Sequence, residues 1–120
     1  MLVHQLLGNE GILLIRPDGP IAVGDFELVT KTVDPYIEKK GALRGVVIEA
    51  ESFPGWDSFA ALLSHMRFVR DHHRFVRKVA AVSDSAILSI APQIAKHFVQ
   101  AEVRHFGATD REAALAWLRE

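Results

Sequence analysis

There is no cysteine among the 120 residues of this chain. Disulfides, thiol catalysis and zinc–thiolate sites are excluded, and a reducing cytoplasm is the compartment that suits such a composition. An excess of either charge is also missing. Fourteen Lys and Arg stand against fifteen Asp and Glu, for a formal net charge of −1. Nothing global draws the chain to nucleic acid, which leaves only a local basic patch to consider. No apolar run approaches the roughly 18 residues that a membrane span needs. The first residues, MLVHQLLGNEG, have neither the basic start nor the long apolar stretch of a signal peptide. Any membrane contact is therefore expected to be peripheral. Repeats, low-complexity tracts and linkers are absent as well.

What remains is an ordinary globular composition, 49% hydrophobic and 24% charged, on a length that suits one domain over residues 1–120. Two short apolar runs, 2–7 and 12–16, flank Gly8-Asn9-Glu10-Gly11 and predict an antiparallel hairpin. Phe26, Val29, Val33 and Ile37 recur at helical spacing over residues 25–40, with Gly41 as the stop and Pro35 as a point of bending or restart. RGVVIEA, residues 44–50, and residues 78–82 read as strands buried on both faces. Between them Asp57 is placed to cap a helix whose inner stripe is Phe59, Leu62, Leu63, Met66 and Val69. Residues 84–100 read as a further helix, followed by a strand near 103–106. Thr109 and Glu112 then form a capping box before a helix that packs through Ala114, Leu115, Trp117 and Leu118. The order is β-β-α-β-α-β-α-β-α, an α/β fold with a mixed, mostly parallel sheet. Ligands on such sheets gather outside the carboxyl ends of the parallel strands, here near residues 49–56, 83–85 and 106–109.

That order, with RGVVIEAESFPGW, the basic tract after it, KVAAVSD leading into an oily segment, and the closing FGATDREAALAWLRE, resembles the SpoIIAA-like family of small bacterial proteins with a STAS-type fold. The resemblance covers nearly the whole chain. It implies a cytoplasmic non-enzyme whose oily third helix swings between closed and open positions, with membrane association and binding of an apolar ligand. Anti-sigma-factor antagonists of the wider fold carry a phosphorylatable serine in an Asp-Ser-x-Gly turn after the third strand. Glu51-Ser52-Phe53-Pro54-Gly55 stands there in this chain, with Ser52 and Ser58 as the nearby hydroxyls.

The functional signal is concentrated in residues 84–100, DSAILSIAPQIAKHFVQ. Ile87, Ile90, Ala91, Ile94 and Phe98 form one stripe, and Leu88, Ala95 and Val99 widen it. A helix apolar over so much of its girth is either deeply buried or faces something oily besides its own core. Pro92 interrupts its ladder, at about 3 kcal/mol in a helix interior, which favours local detachment. Phe53 and Trp56, on a stiff Pro-Gly turn, either cover the core or wall a pocket. The ligand-lining set is then Phe53, Trp56, Ile87, Leu88, Ala91 and Ile94, for a lipid or apolar small molecule.

Arg70, Arg74 and Arg77 in the tract RFVRDHHRFVRK are the candidates for lipid headgroups on an anionic membrane, against the alternative of a solvated helix end. Nucleic acid is disfavoured because no reading motif accompanies the charge. His72-His73 is a poor metal pair, since adjacent helical residues diverge by about 100°; neither metal nor other cofactor is implied. Glu49 and Glu51 are the only carboxylates placed for acid–base work, and no nucleophile, phosphate loop or oxyanion motif joins them, so no catalytic residue is assigned. The leading function is a non-catalytic binding module. The alternative is a protein-interaction regulator switched by phosphate on Ser52 or Ser58. Ligand, protein partner and oligomeric state stay open.

Overall fold

The computed structural model describes residues 1–51, 55–84 and 101–120. Strands β1 (Leu2–Leu7) and β2 (Ile12–Pro17) form the hairpin that the turn residues announce. Gly11 makes that turn at φ +69, and a Cβ there would stand 2.6 Å from the Tyr36 hydroxyl, so position 11 needs glycine for both backbone and space. Helix α1 (Asp25–Lys40) crosses to β3 (Leu43–Glu49), and α2 (Phe59–His72) crosses to β4 (Val76–Val82) through a single 3-10 turn. Strand β5 (Glu102–Phe106) and helix α3 (Arg111–Arg119) follow. The strands lie in sequence order, β1-β2-β3-β4-β5. The first pair is antiparallel and the rest are parallel, as the predicted α/β class requires.

Alternation along the strands divides the core between the two faces of the sheet. On one face Leu13, Ile15 and Val46 meet Phe26, Val29 and Val33 of α1, with Phe68 of α2 packed against them. On the other, Ile12, Val47, Ala80 and Val82 meet Ala114, Leu115, Trp117 and Leu118 of α3. Helix α3 approaches β3 closely because residue 45 is glycine. A Cβ there would come within 2.5 Å of Leu118 Cδ2.

Four local expectations change. Pro35 lies inside α1 without restarting it; the helix runs through and the proline stays exposed, where the lost N–H faces no core partner. Ser58, not Asp57, caps α2, its Oγ accepting from the Ala61 N–H at 3.1 Å. Helix α3 starts at Arg111 with Asp110 at its N-cap and no side-chain cap bond, so the Thr109–Glu112 box falls one residue out of register. The inner stripe of α2 is also different. Phe59, Leu63 and Met66 are exposed, and the face turned inward carries Ala61, His65, Phe68 and His72.

Candidate functional site

The carboxyl ends of the parallel strands form one rim of the sheet, and the chain after β3 is tied down there. Ile21 N–H donates to the Gly55 carbonyl and Asp57 N–H to the Ile21 carbonyl, both at 2.9 Å, in a parallel bridge that joins Trp56 to the segment after β2. Trp56 thereby turns toward α1 and α2 and packs against the first core cluster. Its indole N–H donates to His65 Nδ1 at 3.1 Å. His65 stacks on Phe26 with ring centroids 4.6 Å apart, and burial pushes its imidazole below the ordinary value. The ring contacts continue from Phe26 to Phe68 at 4.9 Å and from Phe68 to His72 at 4.3 Å. His72 closes the series, with Nε2 2.8 Å from Asp34 Oδ1 and Nδ1 2.8 Å from the Phe68 carbonyl. A groove of about 650 Å³ runs beside these rings, with Lys31 and Asp34 of α1 facing Arg67 and Asp71 of α2.

The outward side of α2 is the feature that the sequence reading placed in the core. Phe59 is 73% exposed, Leu63 37% and Met66 60%. These residues are spaced i, i+4 and i+7, and Arg70 extends the same stripe by one turn. Apolar spacing alone hid this exposed face, because these residues with Leu62 and Val69 form one compact apolar stripe, whereas the inward face carries His65 and His72 beside Ala61 and Phe68.

The arginines assigned to headgroups occupy the opposite rim. Fourteen residues of α2 carry the chain roughly 21 Å back toward the amino end of β4. Arg70 there donates to Asp71 at 3.0 Å; this pairing raises the Arg70 pKa and lowers that of Asp71. The Arg74 guanidinium lies 5.1 Å from the Phe75 ring, and Arg77 is exposed at the start of β4. Trp56 and these three arginines are therefore at different ends of α2. Phe53, Ser52, Ile87, Leu88, Ala91 and Ile94 lie outside the described residues. Ser58 is exposed at the α2 cap.

Glu49 ends β3 on the α3 side, 3.8 Å from Arg111, at the margin of a groove of about 330 Å³ floored by Leu14 and Val47. Glu51 is exposed in the bend that follows. At β4 the chain passes through buried Ser83 to Asp84, whose Oδ1 accepts from the Ala108 N–H at 3.0 Å. His105 donates through Nε2 to the Ser83 carbonyl. Among the described residues, no three His, Asp or Glu side chains stand together as metal ligands, and no helix is long and apolar enough to cross a membrane.

A sequential mixed sheet with α1 and α2 on one face and α3 on the other defines a STAS-type α/β module. The SpoIIAA-like family model matches residues 12–119, and the chain belongs to that family. It is similar in fold to a crystal structure of an uncharacterized protein of the DUF3478 family, with a SpoIIAA-like fold, from Shewanella loihica PV-4. The two share 19% identity with a TM-score of 0.77, over 98% of this chain and 92% of that one. No curated protein matches the sequence.

Proposed function

We propose that this protein is a non-catalytic binding module that takes up a lipid or apolar small molecule and associates peripherally with anionic membranes. The observation that carries the reading is the outward face of α2, with Phe59, Leu63 and Met66 exposed and Arg70 next in line. The oily sequence of residues 84–100 and the rim residue Trp56 fit the same chemistry. Arg70, Arg74 and Arg77 supply cations, each worth about 1 kcal/mol near an anionic surface. Flotation with phosphatidylglycerol vesicles tests the reading. The protein should float with them and stay behind with phosphatidylcholine vesicles. Phe59→Asp with Met66→Asp should release it, and Ile94→Asp should weaken retention. Equal flotation with and without phosphatidylglycerol vesicles would remove the membrane reading.

Ser58 supports a second reading, a protein-interaction regulator switched by phosphate. Its hydroxyl is exposed and already faces the first N–H groups of α2, where a phosphate would be favoured by both dipole and donors. Incubation with a cognate kinase followed by mass spectrometry decides it. Phosphate on Ser58 or Ser52 favours the switch, and reproducible absence of phosphate dismisses it.

A further inference from the structure

The free edge of the sheet at β1 carries a surface independent of α2. Strand β1 pairs with β2 on one side, and among the described residues no strand pairs with its other side. The register identifies which backbone groups are left over. Leu2 stands opposite Pro17, which has no N–H, so that pair is a non-hydrogen-bonded one. The ladder bonds then fall at Val3–Arg16 and Gln5–Leu14, in phase with the Asp18 N–H donating to the Met1 carbonyl at 2.7 Å. The N–H and C=O groups of Leu2, His4 and Leu6 therefore point outward along the edge.

Sheet edges are ordinarily guarded by charge, proline or bulges. The far edge follows that rule, with Glu102 and Arg104 exposed on β5. Strand β1, LVHQLL, contains no Asp, Glu, Lys or Arg. Apolar side chains gather around it instead, with Met1 63% exposed, Val3 36% and Leu28 56%. Leu28 belongs to this surface through Thr32, one helical turn further along α1, whose hydroxyl bonds to His4 Nε2 at 2.8 Å.

We infer that β1 is a self-association edge, through which two copies join antiparallel about a two-fold axis at His4. That register sets His4 opposite His4 and Leu2 opposite Leu6 of the second copy. Every outward N–H and C=O then finds a partner. The same axis brings the two α1 helices together on one face of a continuous sheet, with Leu28 and Thr32 at their contact. An uncharged strand of even apolar character suits a copy of itself better than a charged partner. The joint is short, so the dimer is concentration-dependent.

Sedimentation velocity over a concentration series, on the full chain, tests this. The wild type should shift from monomer to dimer as concentration rises. His4→Pro removes an outward N–H together with the imidazole bonded to Thr32 and leaves the β1–β2 ladder intact, so it should stay folded by circular dichroism and dissociate roughly tenfold more readily or worse. His4→Ala keeps that N–H and should retain the dimer. If His4→Pro does not fold, Val3→Lys with Leu28→Lys decides in its place, and these should give a folded monomer. A wild type that stays monomeric up to its solubility limit would overturn the inference. So would a dimer that persists in folded His4→Pro or in the double Lys variant, or a His4→Ala protein as monomeric as His4→Pro.

Discussion

The Trp56 indole N–H donates to Nδ1 of His65, which places the imidazole proton on Nε2. A second proton would have to displace that hydrogen bond in a ring already stacked on Phe26. Burial holds the His65 pKa below the ordinary value of about 6.5. The unfolded chain therefore takes up this proton more readily than the folded one. The stabilisation is full above about pH 6.5 and is lost as pH falls through the folded value. Urea midpoints should decline between about pH 7.5 and pH 5. His65→Phe, which keeps the stacking and cannot titrate, should narrow that difference while lowering the midpoint at pH 7.5.

Gly45→Ala should destabilise the protein by about 1–3 kcal/mol, the usual range for overpacking. The added methyl meets the Leu118 side chain, which is 1% exposed and has little room to retreat. Denaturant unfolding measures the loss, and Leu118→Val in the Gly45→Ala background should recover part of it.

Ser58→Ala should cost about 1 kcal/mol, the typical value of an N-cap, because the Ala61 N–H loses its acceptor. Ser58→Asp supplies another acceptor and a charge favoured by the dipole, and should stay near wild type. If removing the cap changed nothing, the start of α2 would be held by its packing alone.

Phe59→Asp and Met66→Asp should change stability within about 0.5 kcal/mol each, as surface substitutions do. Both side chains are more than half exposed. Thermal unfolding checks this, and a neutral result makes any loss of vesicle flotation a surface effect rather than unfolding.

The strands and the hairpin were legible because period-two and continuous apolar runs sit between turn residues, and local chemistry decides both. The arc of α2 was not. Phe59, Leu62, Leu63, Met66 and Val69 share about a third of the helix circumference, so the apolar pattern pointed to one side while the chain buries the other, where Ala61 and Phe68 stand with two histidines. That choice depends on His65 and His72, whose imidazoles become acceptable inside through Trp56 and Asp34, nine and 38 residues away. Such pairings leave no periodic trace. The caps failed by one residue for a simpler reason. Asp57-Ser58 and Thr109-Asp110 each offer adjacent residues able to cap, and the path of the preceding loop selects between them. The separation of Trp56 from Arg70, Arg74 and Arg77 follows from the length of α2, which the sequence did show.

Helix α3 has a consequence for the order in which the chain can fold. Among the described residues it is the sole cover for Ile12, Val47, Ala80 and Val82, four side chains drawn from three strands. A nascent chain that has reached residue 106 holds all the described strands, while the described helix that covers these four side chains is still to come. Burial of these four side chains waits on Trp117 and Leu118, so this half of the core is completed from the far end of the sequence.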